Sequence, residues 1–179
     1  MYLLAAVLLA GRVACRAADK VCTSLSGSTV SWKMLDFDFH SWRAMSSPTE
    51  GTGAGFVNFT LQNTALVNRF ACEAASARTP DFFYAGDVYE CRGSLADPGD
   101  KTSFSFDRAK GLLHIDQEWV CERDGSRFVG VGEVRLDPKC REDRYSNDHW
   151  KQGQLYEAAS VQCGKVAGTV SITYLQGSA

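Results

Sequence analysis

The sequence predicts an all-β fold: a single antiparallel β-barrel or closely packed β-sandwich, disulfide-stapled, with little helix. Three observations predict it. Apolar residues recur with a period of two in at least six segments, turn-forming residues separate those segments, and cysteines are spread evenly along the chain.

The segments follow in order. Trp32 to Phe39 alternates, with Leu35, Phe37 and Phe39 on one face. Phe56 to Leu61 gathers Val57, Phe59 and Leu61 and leaves Asn58 and Thr60 opposite. Thr102 to Phe106 presents Phe104 and Phe106. Leu112 to Cys121 places Leu113, Ile115, Trp119 and Cys121 on one side and His114, Asp116 and Glu118 on the other. Arg127 to Leu136 follows the turn Arg123-Asp124-Gly125-Ser126, so these two strands are expected to form a hairpin. Thr169 to Leu175 turns Val170, Ile172 and Tyr174 inward. The best helical candidate, Leu155 to Val161, is short. Ser46 to Gly53, Ala96 to Lys101 and the polar stretch Arg141 to Gln154 read as loops.

The N-terminus reads as a secretory leader. Tyr2 to Ala10 is an unbroken apolar run, too short for a bilayer span of about 20 residues and suited to a signal-peptide core. Cutting after Ala17 puts the small residues Cys15 and Ala17 at the −3 and −1 positions. The expected boundaries are 1–17 for the leader and 18–179 for one domain. No second run of spanning length exists, so a soluble extracellular protein is expected. Without Arg12 and Arg16 the basic residues fall from 19 to 17 against 21 acidic ones, a net charge of −4. With no basic stripe, nucleic acid and anionic membrane are excluded as partners.

Cleavage also reduces seven cysteines to six: Cys22, Cys72, Cys91, Cys121, Cys140 and Cys163. An even set in an exported chain implies disulfides, and several pairings are open to six cysteines. No C-x-x-C pair occurs, and His40, His114 and His149 lack zinc-ligand spacing, so neither metal nor cofactor is expected. Asn58-Phe59-Thr60 is a glycan acceptor sequon in a eukaryotic host, and the alternation points it away from the core.

Other motifs read blandly. Gly51 to Gly55 resembles a phosphate loop by composition, but a strand rather than a helix follows it, and it reads as a flexible turn. Gly130 and Gly132 mark a bulge or bend inside a strand. Phe82, Phe83, Tyr84 and Tyr89 read first as core around a disulfide, and second as the lining of a ligand pocket. His114, Asp116 and Glu118 share one strand face, where an imidazole beside a carboxylate supports acid–base chemistry. The bland reading of that row is a solvated sheet face. The catalytic reading is a small secreted hydrolase of ribonuclease type using His114 and Glu118, with His149 as a second histidine.

The landmarks also occur in a familiar order. Val30-Ser31-Trp32-Lys33 follows an N-terminal cysteine, and then comes Gly55-Phe56-Val57-Asn58-Phe59. Arg69-Phe70-Ala71-Cys72 and Val88-Tyr89-Glu90-Cys91 follow, then Ser103 to Phe106, Lys110-Gly111-Leu112-Leu113, Cys140, Val161-Gln162-Cys163 and Gly168 to Leu175. In this order the chain resembles the major Alternaria allergen family of secreted fungal β-barrel proteins. The resemblance implies the bridges Cys72–Cys91 and Cys140–Cys163 and no catalytic site. It also implies action at the host boundary by binding a host extracellular protein, such as a pathogenesis-related defence protein, or a small phenolic ligand. Cys121 and a longer loop between Cys140 and Cys163 depart from the family pattern, in which the N-terminal cysteine joins two subunits. Period-two counting turns Cys121 inward, so the expectation here is an intramolecular Cys22–Cys121 bridge and a monomer. The rival is a Cys22–Cys22 disulfide-linked dimer. The sequence reading is therefore of a non-enzymatic effector or allergen-like protein, with the hydrolase as its alternative.

Overall fold

A computed structural model describes residues 22–93, 99–122 and 124–178. The predicted leader 1–17, Arg123 of the predicted hairpin turn and residues 96–98 of one predicted loop lie outside the described residues.

A short helix over 22–26 precedes eleven antiparallel strands. These are β1 (Ser31–Met45), β2 (Gly51–Asn63), β3 (Arg69–Ser76), β4 (Tyr89–Gly93), β5 (Lys101–Asp107) and β6 (Leu112–Cys121). They continue as β7 (Ser126–Arg135), β8 (Cys140–Ser146), β9 (Glu157–Cys163), β10 (Val166–Ser171) and β11 (Tyr174–Ser178). The hydrogen-bonded path runs β11-β7-β6-β5-β4-β3-β2-β1-β9-β8, with β10 also on β1.

The length of β1 explains this shape. One edge pairs with β2 along nearly its whole length; the other is shared, β10 taking Ser31 to Phe37 and β9 taking His40 to Met45. After β10 the chain passes Ile172 and Thr173 and continues as β11 on β7. The C-terminal segment thus spans the gap between the first and seventh strands. No continuous ladder closes the sheet into a barrel, so the fold is an open all-β sheet, with a large core cluster and a smaller one around Trp119 and the Cys22–Cys121 bridge. Gly132 permits the crossing: a Cβ there would sit 2.3 Å from the Ser171 carbonyl oxygen and 2.9 Å from the Trp32 ring.

The core is aromatic. Phe37, Phe39, Phe59, Phe83, Phe104 and Phe106 are buried and meet at ring separations between 4.9 and 6.3 Å. Such offset and edge contacts add to what burial alone contributes. Phe82 and Phe83 belong to this core together with Cys72, and Phe82 also lines a cleft. One polar network sits within it. Gln117, fully buried on the inner face of β6, accepts from Trp32 Nε1 (2.7 Å) and Asn63 Nδ2 (2.8 Å) and donates to Thr102 Oγ1 (3.0 Å). Every heteroatom of its amide is therefore engaged, as a buried amide must be.

Several expectations are corrected. A bulge between Leu35 and Asp38, with Asp36 at φ 54°, inserts an extra residue into β1. Trp32 and Met34 therefore point inward before it and Phe37 and Phe39 after it, while Leu35 leaves the face expected for it. Tyr174 is 54% exposed instead of inward, because the chain changes partner strand just before it. Leu155 to Val161 is not helical: 157–163 form β9, paired on both sides, and two-sided pairing outweighs weak local helix preference. The predicted loop 141–154 begins instead as strand: Arg141 to Ser146 belong to β8. This edge strand lacks apolar periodicity, since every residue is exposed, and ion pairs Arg141–Asp143 and Arg144–Glu142 run along it. Gly51 to Gly55 opens β2 rather than forming a turn. Gly130 and Gly132 carry no bulge, since the β6–β7 register is unbroken.

Candidate functional site

The two ends of β6 lie about 30 Å apart, given its 10 residues. The Cys121 end is sealed. Cys22, in the first turn of the helix over 22–26, is bridged to Cys121 with their α-carbons 5.8 Å apart. Trp119, fully buried, stacks on Phe128 at 5.6 Å and donates its Nε1 hydrogen to Ser26 Oγ at 2.9 Å. Thr23 Oγ1 donates to Asp124 Oδ2 (2.8 Å) at the hairpin turn, and the Ser126 backbone N–H holds the Asp124 carboxyl below its usual range.

The Leu112 end opens into a cleft of about 410 Å³. Three segments wall it: the β5–β6 turn, the connection from β7 to β8, and the Cys140–Cys163 bridge. Gly111, at φ +62°, makes the turn, and its carbonyl accepts from Leu136 N–H at 2.7 Å. A Cβ on Gly111 would meet the Leu136 oxygen at 2.5 Å, so only glycine lets these walls approach. The floor is Phe39, Phe106 and Leu136; the rim carries Arg108, Lys110, Arg135 and Asp137. Lys110 is already engaged: its ammonium lies 3.1 Å from Asp107, and that hydrogen bond holds the Asp107 carboxyl below the ordinary carboxylate range.

The two arginines differ from Lys110. The Arg108 guanidinium lies 4.6 Å from the centre of the Phe39 ring, and Arg135 Nη1 donates to the Lys110 carbonyl at 3.1 Å. Among the described residues neither has a carboxylate within 4 Å. Their forks are positioned by an aromatic ring and a carbonyl, with donors left for an anion. Arg108 also borders a second cleft of about 240 Å³ with Arg43, Phe82, Glu142 and Arg144. The other two cations there are paired, Arg43 with Glu157 and Arg144 with Glu142. The Arg144 hydrogen bond holds the Glu142 carboxyl low.

The row His114, Asp116, Glu118 lies on the outer face of β6, opposite Gln117. Glu118 pairs with Arg127 at 3.6 Å. Asp116 and Glu118 line an open cleft with Glu90 and Lys101. His149 lies between β8 and β9, strands that do not neighbour β6, so the sheet does not bring it beside the row. Among the described residues no group of His, Cys, Asp and Glu is arranged to hold a metal, and no helix is long and apolar enough to cross a membrane. Asn58 is on the outer face of β2.

Sequence reasoning singled out the row and missed the cleft. The cleft draws Phe39 from β1, Phe106 from β5, Arg108 from a turn and Arg135 from β7, and no local spacing connects them. The only available signal was Lys110-Gly111-Leu112-Leu113, read as a hairpin landmark.

Comparison with curated proteins gave no match, and neither did comparison with solved structures. The family model for Alternaria alternata allergen 1 matches residues 34–163, from the first core methionine to the last bridged cysteine. The chain therefore belongs to the Alternaria alternata allergen 1 family.

Proposed function

We propose that the protein is a secreted, non-enzymatic fungal effector that acts by binding, and that the cleft at the Leu112 end of β6 is its recognition site. The observation that carries this reading is the asymmetry between the ends: one is plugged by a bridge, a helix and a tryptophan, and the other has two guanidinium groups with no carboxylate within 4 Å among the described residues, above an apolar floor. The occupant that fits is an amphipathic anion, either a small ligand or an acidic–apolar segment of a host extracellular protein, its charge on Arg108 and Arg135 and its apolar part against Leu136 and Arg108. The three disulfides suit the oxidising environment outside the cell. With Cys22 and Cys121 both used within the chain, the acting form is a monomer.

The hydrolase reading is less well supported, because the row on β6 has no second catalytic histidine beside it. Capture from host extracellular fluid tests the two together. The oxidised protein is expected to retain a host protein or small molecule, and Arg108→Glu with Arg135→Glu is expected to release it. Polymer hydrolysis by the wild type that disappears in His114→Ala/Glu118→Ala would replace binding with catalysis. A covalent dimer on non-reducing electrophoresis that collapses with Cys22→Ser would overturn the monomer.

A further inference from the structure

We propose that Asn58 carries an N-linked glycan whose first N-acetylglucosamine lies on the stacked Phe56–His40 pair, so that carbohydrate covers the outer face of the β1–β2–β3 sheet. The proposal rests on the secretion part of the reading above and not on the cleft.

The sequon supplies the acceptor, and the strand decides where it points. Along β2, Val57, Phe59 and Leu61 are buried, while Phe56, Asn58 and Thr60 are half-exposed on the other face. Residues two apart on a strand lie about 7 Å from one another on one face, within the reach of one sugar ring from its asparagine. Asn58 has Asp38 and Glu73 as cross-strand neighbours, and its side-chain amide makes no hydrogen bond among the described residues. The nitrogen that would carry the sugar is therefore not committed elsewhere.

Phe56 is flanked by His40 on β1 and Ala75 on β3. The His40 ring stacks on Phe56 with centroids 5.0 Å apart and planes 18° apart, and Asp38 Oδ2 lies 3.1 Å from His40 Nδ1, which holds the imidazole in place. This is a fixed aromatic surface in the middle of a sheet, with a small residue beside it. A pyranose presents a face of C–H groups that suits the electron-rich face of an aromatic ring. The carboxylates of Asp38 and Glu73 can accept from the sugar's hydroxyl and acetamido hydrogens. Trp42, 44% exposed on the same face of β1, extends the aromatic surface beyond the first sugar. An exposed aromatic face bordered by two acids suits a sugar better than a dry protein interface, which leaves few charges unpaired at its centre.

The test uses the full chain secreted from yeast behind the host's own leader, trimmed with endoglycosidase H to a single N-acetylglucosamine. A glycan is expected at Asn58 by mass spectrometry and absent from Asn58→Gln and Thr60→Ala. The acetyl methyl proton of the retained sugar is expected upfield of its free-sugar position, displaced by the ring currents of Phe56 and His40. The single sugar is also expected to raise the unfolding midpoint by about 2–4 °C, and this rise is expected to vanish in Phe56→Ser/His40→Ser. Folded secreted protein without sugar at Asn58 would overturn the acceptor. A methyl resonance at its free-sugar position would overturn the contact, and that reading needs no variant to fold.

Discussion

At Cys121 the strand β6 ends in a plug: a disulfide, a buried tryptophan, and a helix held by hydrogen bonds from Thr23 and Trp119. At Leu112 the same strand begins beside a cleft whose two arginines, Arg108 from the turn and Arg135 from β7, have no carboxylate within 4 Å among the described residues. The plug is built from interactions that cost a great deal to break and that leave nothing for a ligand. The cleft has the Cys140–Cys163 bridge in its wall, but its two arginines make contacts that cost little to break and that leave charge on offer. Stability and recognition are thus divided between the ends, and the division can be tested from both sides.

The largest effect is expected from opening the plug. Cys22→Ser with Cys121→Ser frees a loop with a sequence separation of 99, nominally about 4.7 kcal/mol in the chain-entropy account. Thermal unfolding is expected to shift down by more than 10 °C, while binding at low temperature persists. Loss of binding in folded variant would show that the two ends are coupled. Next comes Gln117→Leu, which leaves Trp32 Nε1 and Asn63 Nδ2 without an acceptor. Each buried donor so orphaned costs about 1–3 kcal/mol, read as a lower denaturant midpoint.

At the cleft, Arg108→Ala and Arg135→Ala are each expected to change stability by no more than about 1 kcal/mol, the scale of an exposed cation–π or hydrogen-bond contact. Their effect is expected in partner capture instead. A large midpoint shift in either would end the claim that this end is spare. The smallest effect is in acid. Asp124 at the plug and Asp107 at the cleft both have folded pKa values lowered by hydrogen bonds. Their contribution is therefore full above the unfolded carboxylate value, about 3.9, and declines as pH falls through the lowered folded value. A pH series of unfolding midpoints is expected to show a shallower acid decline in Asp124→Asn, at an exposed site, and in Asp107→Asn, at a half-buried one.

Much of this architecture was legible in sequence, and the faces of β2, β5 and β6 show why. Alternation is local: once Val57, Phe59 and Leu61 seek the core, Asn58 and Thr60 must face away. In β1 the same reasoning failed at Leu35, because a bulge shifts the period by one and leaves no mark in composition. It failed again at Cys140 to Ser146, an edge strand with charges on both sides. The His114 row was visible because it is a run of polar residues at period two. Gln117 shares the inner face with Leu113, Ile115 and Trp119, and only its partners, 85 and 54 residues away in sequence, account for an amide there.

The sequence by itself determined the fold class, the outward face of Asn58 and the family, since each depends on residue type and on spacing along a strand. Only the tertiary structure decided which end of β6 is closed and which is open. That choice rests on contacts between distant segments, Ser26 with Trp119 and Arg108 with Phe39, in addition to the Cys22–Cys121 bridge that the sequence already led one to expect. Periodicity tells each side chain which face to take, but it cannot say which side chains from other strands will meet it there.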